Sequence, residues 1–155
     1  MSKKNDYNKH LFIYNFVFLL GLIVIVNFVC KFLANHNLLF NNPVLRLSFV
    51  HNSGAAFNLF DSKIPFLIAV GVLALIYIIY RVYFSQNALN KASAVGFAMM
   101  TSGIVYNMYE RISLGFVVDY FDLNFVNFPV FNMADVLITC GAFVLISQIL
   151  VKKLW

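Results

Sequence analysis

Two aspartates, Asp119 and Asp135, lie in the otherwise apolar stretch GFVVDYFDLNFVNFPVFNMADVLITCG, residues 115–141. No metal-ligating pattern accompanies them, so the chemistry they suggest is acid–base work on water. Two carboxyl groups in one confined site cannot both ionise cheaply; one keeps a proton while the other acts as base. The ionised partner would take a proton from water, the protonated one would polarise a carbonyl, and the pair would titrate as a unit.

Four polar clusters surround this idea: Asn52-Ser53-Gly54-Ala55-Ala56-Phe57, Asn107-Met108-Tyr109-Glu110-Arg111, Val117-Val118-Asp119-Tyr120 and Asn132-Met133-Ala134-Asp135. Each also has a purely structural reading. Asn132 and Asp135 have the spacing of a helix N-cap and a first-turn acid favoured by the helix dipole. Asp119 would pair with Arg111 or Lys63, Asn52-Ser53-Gly54 would be a turn, Asn107 a helix-end polar residue, and Glu110-Arg111 an interfacial charge pair. What favours a site is that all four clusters fall on one predicted side of a membrane, where ionisable groups are costly and mark function by default.

The elements that must position them follow from composition. The 155 residues are 62% hydrophobic and only 11% charged, against about 25% charged in a soluble domain, and mean hydropathy is +0.83. Apolar stretches at roughly residues 11–34, 65–84, 92–109 and 134–151 approach the ~17–25 residues needed to cross a bilayer. The expectation is one domain over residues 1–155: an all-α membrane protein with four transmembrane helices. The first stretch is longer than a signal-peptide core and lacks a small-residue cleavage site, and Phe28 and Val29 argue against lipoprotein-type cleavage at Cys30. It is expected to remain as an anchor.

Basic residues set the topology. Lys3, Lys4, Lys9, Arg81, Lys91, Lys152 and Lys153 share the side of the two termini, which is therefore expected to be cytoplasmic. Lys31, Arg46, Lys63, Arg111, Asp61, Glu110, Asp119, Asp122 and Asp135 fall on the outer side. The net charge of +5 thus reports orientation, and no nucleic-acid partner is implied. In VLRLSFVHNSGAAF, Leu45, Leu47 and Phe49 alternate with Arg46 and Ser48, the period of a short strand ending at Asn52-Ser53-Gly54. GFVVDYFDLNFVNF supplies a partner strand. Because open sheet edges are not tolerated in lipid, the two should form a small β platform at the outer face. In the third stretch Ala94, Gly96, Ala98, Ser102 and Gly103 allow close helix approach, and the short turn SQNALNK makes helices two and three antiparallel neighbours. Cys30 and Cys140 fit no metal or redox pattern with His10, His36 or His51 and read as packing thiols.

At NSGAAF, YNMYERI, GFVVDY and FPVFNMAD, in that order, the chain resembles the lipoprotein signal peptidase family, also called signal peptidase II. The resemblance implies a bacterial inner-membrane aspartic endopeptidase that removes signal peptides from diacylated prolipoproteins, cutting before the lipidated cysteine. It implies Asp119 and Asp135 as catalytic dyad. It places Asn52, Gly54, Asn107, Arg111 and Asn132 around substrate or dyad, with Gly54, Ala55 and Ala56 leaving room for an extended peptide. No cofactor and no metal are implied; the expected partners are the prolipoprotein and membrane lipid, and the chain is taken as a monomer. Capping logic makes Asp135 the base and Asp119 the acid. The sequence departs from the family pattern at Glu110, usually Asp; at Tyr106 within TSGIVYN; and at Asn27-Phe28, usually Asp-Gln, with Lys31 retained. These departures bear on substrate contacts and on sensitivity to the cyclic-peptide antibiotics that block the family. Two alternatives remain: a small proton or cation carrier, and a non-catalytic lipoprotein-binding relative.

Overall fold

A computed structural model describes residues 3–36, 41–54, 63–84 and 89–154. Asp61, Ala55, Ala56 and Phe57, singled out above, lie outside the described residues, as does most of the SQNALNK turn. The chain runs α1 (Lys3–Asn35), β1 (Leu45–Asn52), α2 (Ile64–Ile79) with a π-helical turn (Tyr80–Phe84), α3 (Lys91–Leu114), β2 (Val117–Leu123) and α4 (Met133–Leu154). The four-helix plan with a two-stranded sheet holds.

Among the described residues, three helices are long and apolar enough to cross a membrane: Asp6–Leu33, Ile64–Phe84 and Met133–Leu150. The third helix is the exception, and its position gives the reason. α3 packs against α4, α1 and α2, so its faces meet protein where the others meet lipid. It buries Ser102, Asn107 and Glu110 together with Ala94, Gly96, Ala98 and Gly103. A helix surrounded by helices does not need an apolar perimeter, and its small residues do the packing the sequence assigned to them. A Cβ on Gly141 would lie 2.7 Å from the Gly96 carbonyl oxygen and 3.0 Å from the Met100 nitrogen, so α3 and α4 cross in backbone contact. By contrast α2 and its π-helical turn point Leu73, Ile76, Tyr77 and Phe84 outward.

Local signals fix the helix ends. Asn90 caps α3, its side-chain oxygen accepting the Ser93 N–H at 2.7 Å. Gly115, at φ 80°, ends it in the left-handed conformation that suits glycine. α3 therefore runs past residue 109, the expected end, and Asn107, Glu110 and Arg111 stand on one continuous helix. α4 begins with a reciprocal capping box: Asn132 Oδ1 accepts the Asp135 N–H at 3.0 Å, and Asp135 Oδ2 accepts the Asn132 N–H at 3.1 Å.

β1 and β2 pair antiparallel, Leu45 opposite Leu123 and Asn52 opposite Val117, with an irregularity between Leu47 and Val50. Phe131 extends the far edge of β2, its carbonyl accepting the Tyr120 and Phe121 N–H groups at 3.1 and 2.8 Å. Cys30, Leu47 and Tyr120 form the buried cluster beneath the sheet. At the opposite end of the bundle Phe12, Ile78, Val82, Leu89 and Phe97 pack together.

Candidate active site

The sheet end of α3 and α4 holds a cavity of about 760 Å³, lined by Asn52, Asn107, Arg111, Asp119 and Asp135 among polar residues and by Val50, Phe128, Val136 and Ile138 among apolar ones. Elements distant in sequence converge here. β1 ends in Asn52, β2 presents Asp119, α3 contributes Asn107 and Arg111 one turn apart, and the first turn of α4 carries Asp135.

Amides join the two aspartates. Asn132 Nδ2 donates to Asp119 Oδ1 at 2.9 Å and to Asn107 Oδ1 at 3.1 Å. Asn107 Nδ2 in turn donates to Asp135 Oδ1 at 2.8 Å. Asn52 Nδ2 donates to Asp119 Oδ2 at 2.8 Å, while its own oxygen accepts the Gly54 N–H at 2.9 Å. Every oxygen of both carboxyl groups thus has an amide donor. Asn132 is wholly buried and both caps α4 and touches Asp119, so the cap that starts the helix also sets the spacing of the acids.

Asn132 and Asp135 do form a cap, and Asn52 does begin a turn, but each also holds a carboxyl group in the cavity. Asp119 does not pair with Arg111 or Lys63; it accepts from Asn52 and Asn132. Arg111 donates through Nη2 to the Gly54 carbonyl at 2.7 Å and weakly through Nη1 to the Asn107 carbonyl at 3.4 Å. Its Nε is buried with no partner among the described residues. Burial pushes the Asp119 carboxyl up to about 7; the neighbouring Asp135 charge adds to the rise, and the Asn52 and Asn132 donors and Arg111 oppose it. Among the described residues no group of three or more His, Cys, Asp or Glu is placed to hold a metal.

Two readings are corrected. Glu110 and Arg111 are not an interfacial pair: Glu110 is buried and its carboxylate meets Lys31 Nζ at 3.4 Å, because the helix continues and turns this face inward. Cys140 is not packed; it is exposed on α4 and lines the cavity, whereas Cys30 is buried. Asp122, three residues from Asp119, is a half-buried ion-pair partner of the exposed Arg46. Sequence reasoning named Lys31, Tyr106 and Tyr120 but did not foresee that Lys31 and Tyr106 meet Glu110 or that the Tyr120 hydroxyl meets the start of α4. Tyr120 is fully buried and its hydroxyl oxygen accepts the Met133 N–H at 3.0 Å. The available signal was spacing, since Tyr106, Asn107, Glu110 and Arg111 are neighbours at three and four residues on a helix.

A family model described as signal peptidase (SPase) II matches residues 19–151. The lipoprotein signal peptidase of Latilactobacillus sakei subsp. sakei is 36% identical over 110 residues, 71% of this chain and 72% of the relative. That of Francisella tularensis subsp. novicida is 32% identical over 144 residues, 85% of this chain and 89% of the relative. A solved structure described as a bacterial membrane enzyme, at 2.3 Å, superposes with a TM-score of 0.80 and 24% identity, covering 92% of this chain and 88% of the other. A second, at 1.9 Å, gives 0.73 and 25%, covering 89% and 94%.

Proposed function

The chain belongs to the signal peptidase II family, a membrane peptidase that cleaves prolipoprotein signal peptides, and from that premise we propose that Asp119 and Asp135 are its catalytic dyad. The observation that carries the assignment is the shared cavity in which amides of Asn52, Asn107 and Asn132 aim both carboxyl groups at one space.

Asp135, at the first turn of α4 where the helix dipole favours negative charge, is the base. Asp119, whose burial raises its carboxyl to about 7, is the partner that carries the proton, about half of it retained at neutral pH and more below. Water between them attacks the scissile carbonyl, giving its proton to Asp135, while Asp119 protonates the carbonyl oxygen. The tetrahedral adduct then collapses: the carbon–nitrogen bond breaks, the nitrogen of the lipid-bearing cysteine leaves with the proton from Asp135, and the adduct's hydroxyl returns a proton to Asp119. Arg111, which lines the cavity, donates to the substrate backbone; Gly54 and the three asparagines border the peptide path.

The apolar lining from Phe128 through Val136 and Ile138 suits a diacylated substrate. Lipid binding then holds the bond near the water, converting remote affinity into orientation. We assign both termini to the cytoplasm of a bacterial inner membrane, the sheet to the outer face, α3 to a fourth span, and the working unit to one 155-residue monomeric domain with no nucleic-acid partner. The Asn27 and Phe28 departures do not touch the cavity. Asn27 is buried and donates to the Ile23 carbonyl at 3.1 Å, and Phe28 points outward.

Purified protein incubated with a diacylated prolipoprotein should release the signal peptide, read as a mass shift. Asp119→Asn and Asp135→Asn should each lose about 10²–10⁴-fold in rate while remaining folded. Unchanged cleavage by either would remove it from the dyad. Binding without cleavage by the wild type would revive the non-catalytic alternative.

A further inference from the structure

Glu110 is 1% exposed, as buried as Asp119 at 2%, yet it does not line the cavity. A carboxylate is not buried cheaply unless opposite charge and hydrogen bonds answer it, and Glu110 has both. Its Oε1 accepts from the Tyr106 hydroxyl at 3.1 Å and lies 3.4 Å from Lys31 Nζ on α1. Its Oε2 accepts the backbone N–H of Val118 at 2.8 Å. Val118 immediately precedes Asp119.

The Val118 and Tyr120 N–H groups, two residues apart on β2, go to Glu110 and to the Phe131 carbonyl. Asp119 lies between these two anchors. Glu110 also stands three residues after Asn107, which holds Asp135, and one before Arg111. One side chain therefore joins α1, the site-bearing turn of α3 and the strand that carries an acid. Aspartate, usual in the family at this position, is one methylene shorter than the glutamate that makes the Val118 contact here.

We propose that Glu110, paired with Lys31, is a positioning residue for the cleavage reaction: it pins β2 to α3 so that Asp119 meets Asp135 at the catalytic spacing. The inference rests on the reading of Asp119 and Asp135 as the dyad. A misplacement of roughly 1 Å in a catalytic group can cost about a hundredfold in rate.

The test compares wild type, Glu110→Asp, Glu110→Gln, Lys31→Met and the Glu110→Gln/Lys31→Met pair, reconstituted in lipid with a diacylated prolipoprotein, with thermal melts to establish folding. Glu110→Asp and Glu110→Gln should lower kcat about tenfold to a hundredfold with KM within about twofold. They should also move the alkaline limb of the kcat–pH profile, which reports Asp119. The double variant should be more active than the product of the single losses, because the two side chains are in contact. Folded Glu110 variants with wild-type kcat and an unmoved limb, or with a change in KM alone, would overturn the proposal. If Glu110→Gln does not fold, Glu110→Asp and Lys31→Met decide by the same readouts. Asp119→Asn run alongside separates the two ideas: if it cleaves normally, the dyad reading fails instead.

Discussion

The same two helices, α3 and α4, are joined in opposite ways along their length. Around Gly96, Met100 and Gly141 they meet backbone to backbone with no polar side chain between them. About two to three turns away, at Asn107, Asn132 and Asp135, they meet through side-chain amides and a carboxylate. Close packing fixes a distance and tolerates nothing larger; hydrogen bonds fix a direction and demand particular atoms. The dry seam sets how near the helices lie, and the amide network uses that nearness to aim two acids.

Breaking the polar side should have the larger effect on rate. Asn132→Ala removes donors to Asp119 and Asn107 and the acceptor of the Asp135 N–H. Hydrogen bonds to charged groups are worth about 1.5–3 kcal/mol, so kcat should fall on the order of tenfold to a hundredfold in a cleavage assay. Retained rate would mean that the network merely fills space.

The pH dependence sharpens the contrast next. The folded-state value for Asp119, about 7, lies above its ordinary 3.8, so the fold favours the protonated form. The stability this contributes is full below the ordinary value and is lost as pH rises through about 7. Cleavage should decline over the same upper window as the acid loses its proton. Thermal melts and kcat across pH 4–9 should show both trends, and Asp119→Asn should abolish the first. Asp122→Asn should leave both unchanged, since its partner Arg46 is at the exposed side of the sheet.

On the dry side Gly141→Ala introduces a methyl against Gly96 and Met100 backbone atoms that cannot swing away. Overpacking costs about 1–3 kcal/mol, visible as a lowered unfolding midpoint in detergent. Its effect on kcat should be smaller than that of Asn132→Ala. A larger rate effect would show that the seam, more than the amides, governs the acids.

Much of this was legible in residue order. Alternation at Leu45, Leu47 and Phe49 located β1, and Asn132 with Asp135 announced the start of α4, because capping and strand periodicity are local. The end of α3 was placed too early: Asn107, Glu110 and Arg111 look like an interfacial tail when their neighbours are unknown. Their burial comes from α1, α4 and β2, which no local window contains. Cys140 was misjudged for the same reason, since apolar context in sequence does not distinguish a buried helix face from one lining a cavity.

The sequence by itself determined that the chain belongs in a membrane, which stretches are helical, where a small sheet forms and which carboxylates to suspect, because hydropathy, capping and alternation are read within a few residues. Only the tertiary structure decided that Asp119 and Asp122, three residues apart on one strand, differ in kind: one fully buried among amides, the other half-buried and paired with the exposed Arg46. It also decided that Glu110 faces inward to hold β2. Those outcomes depend on which surfaces meet across the whole chain, and desolvation and hydrogen-bond partners are properties of that meeting.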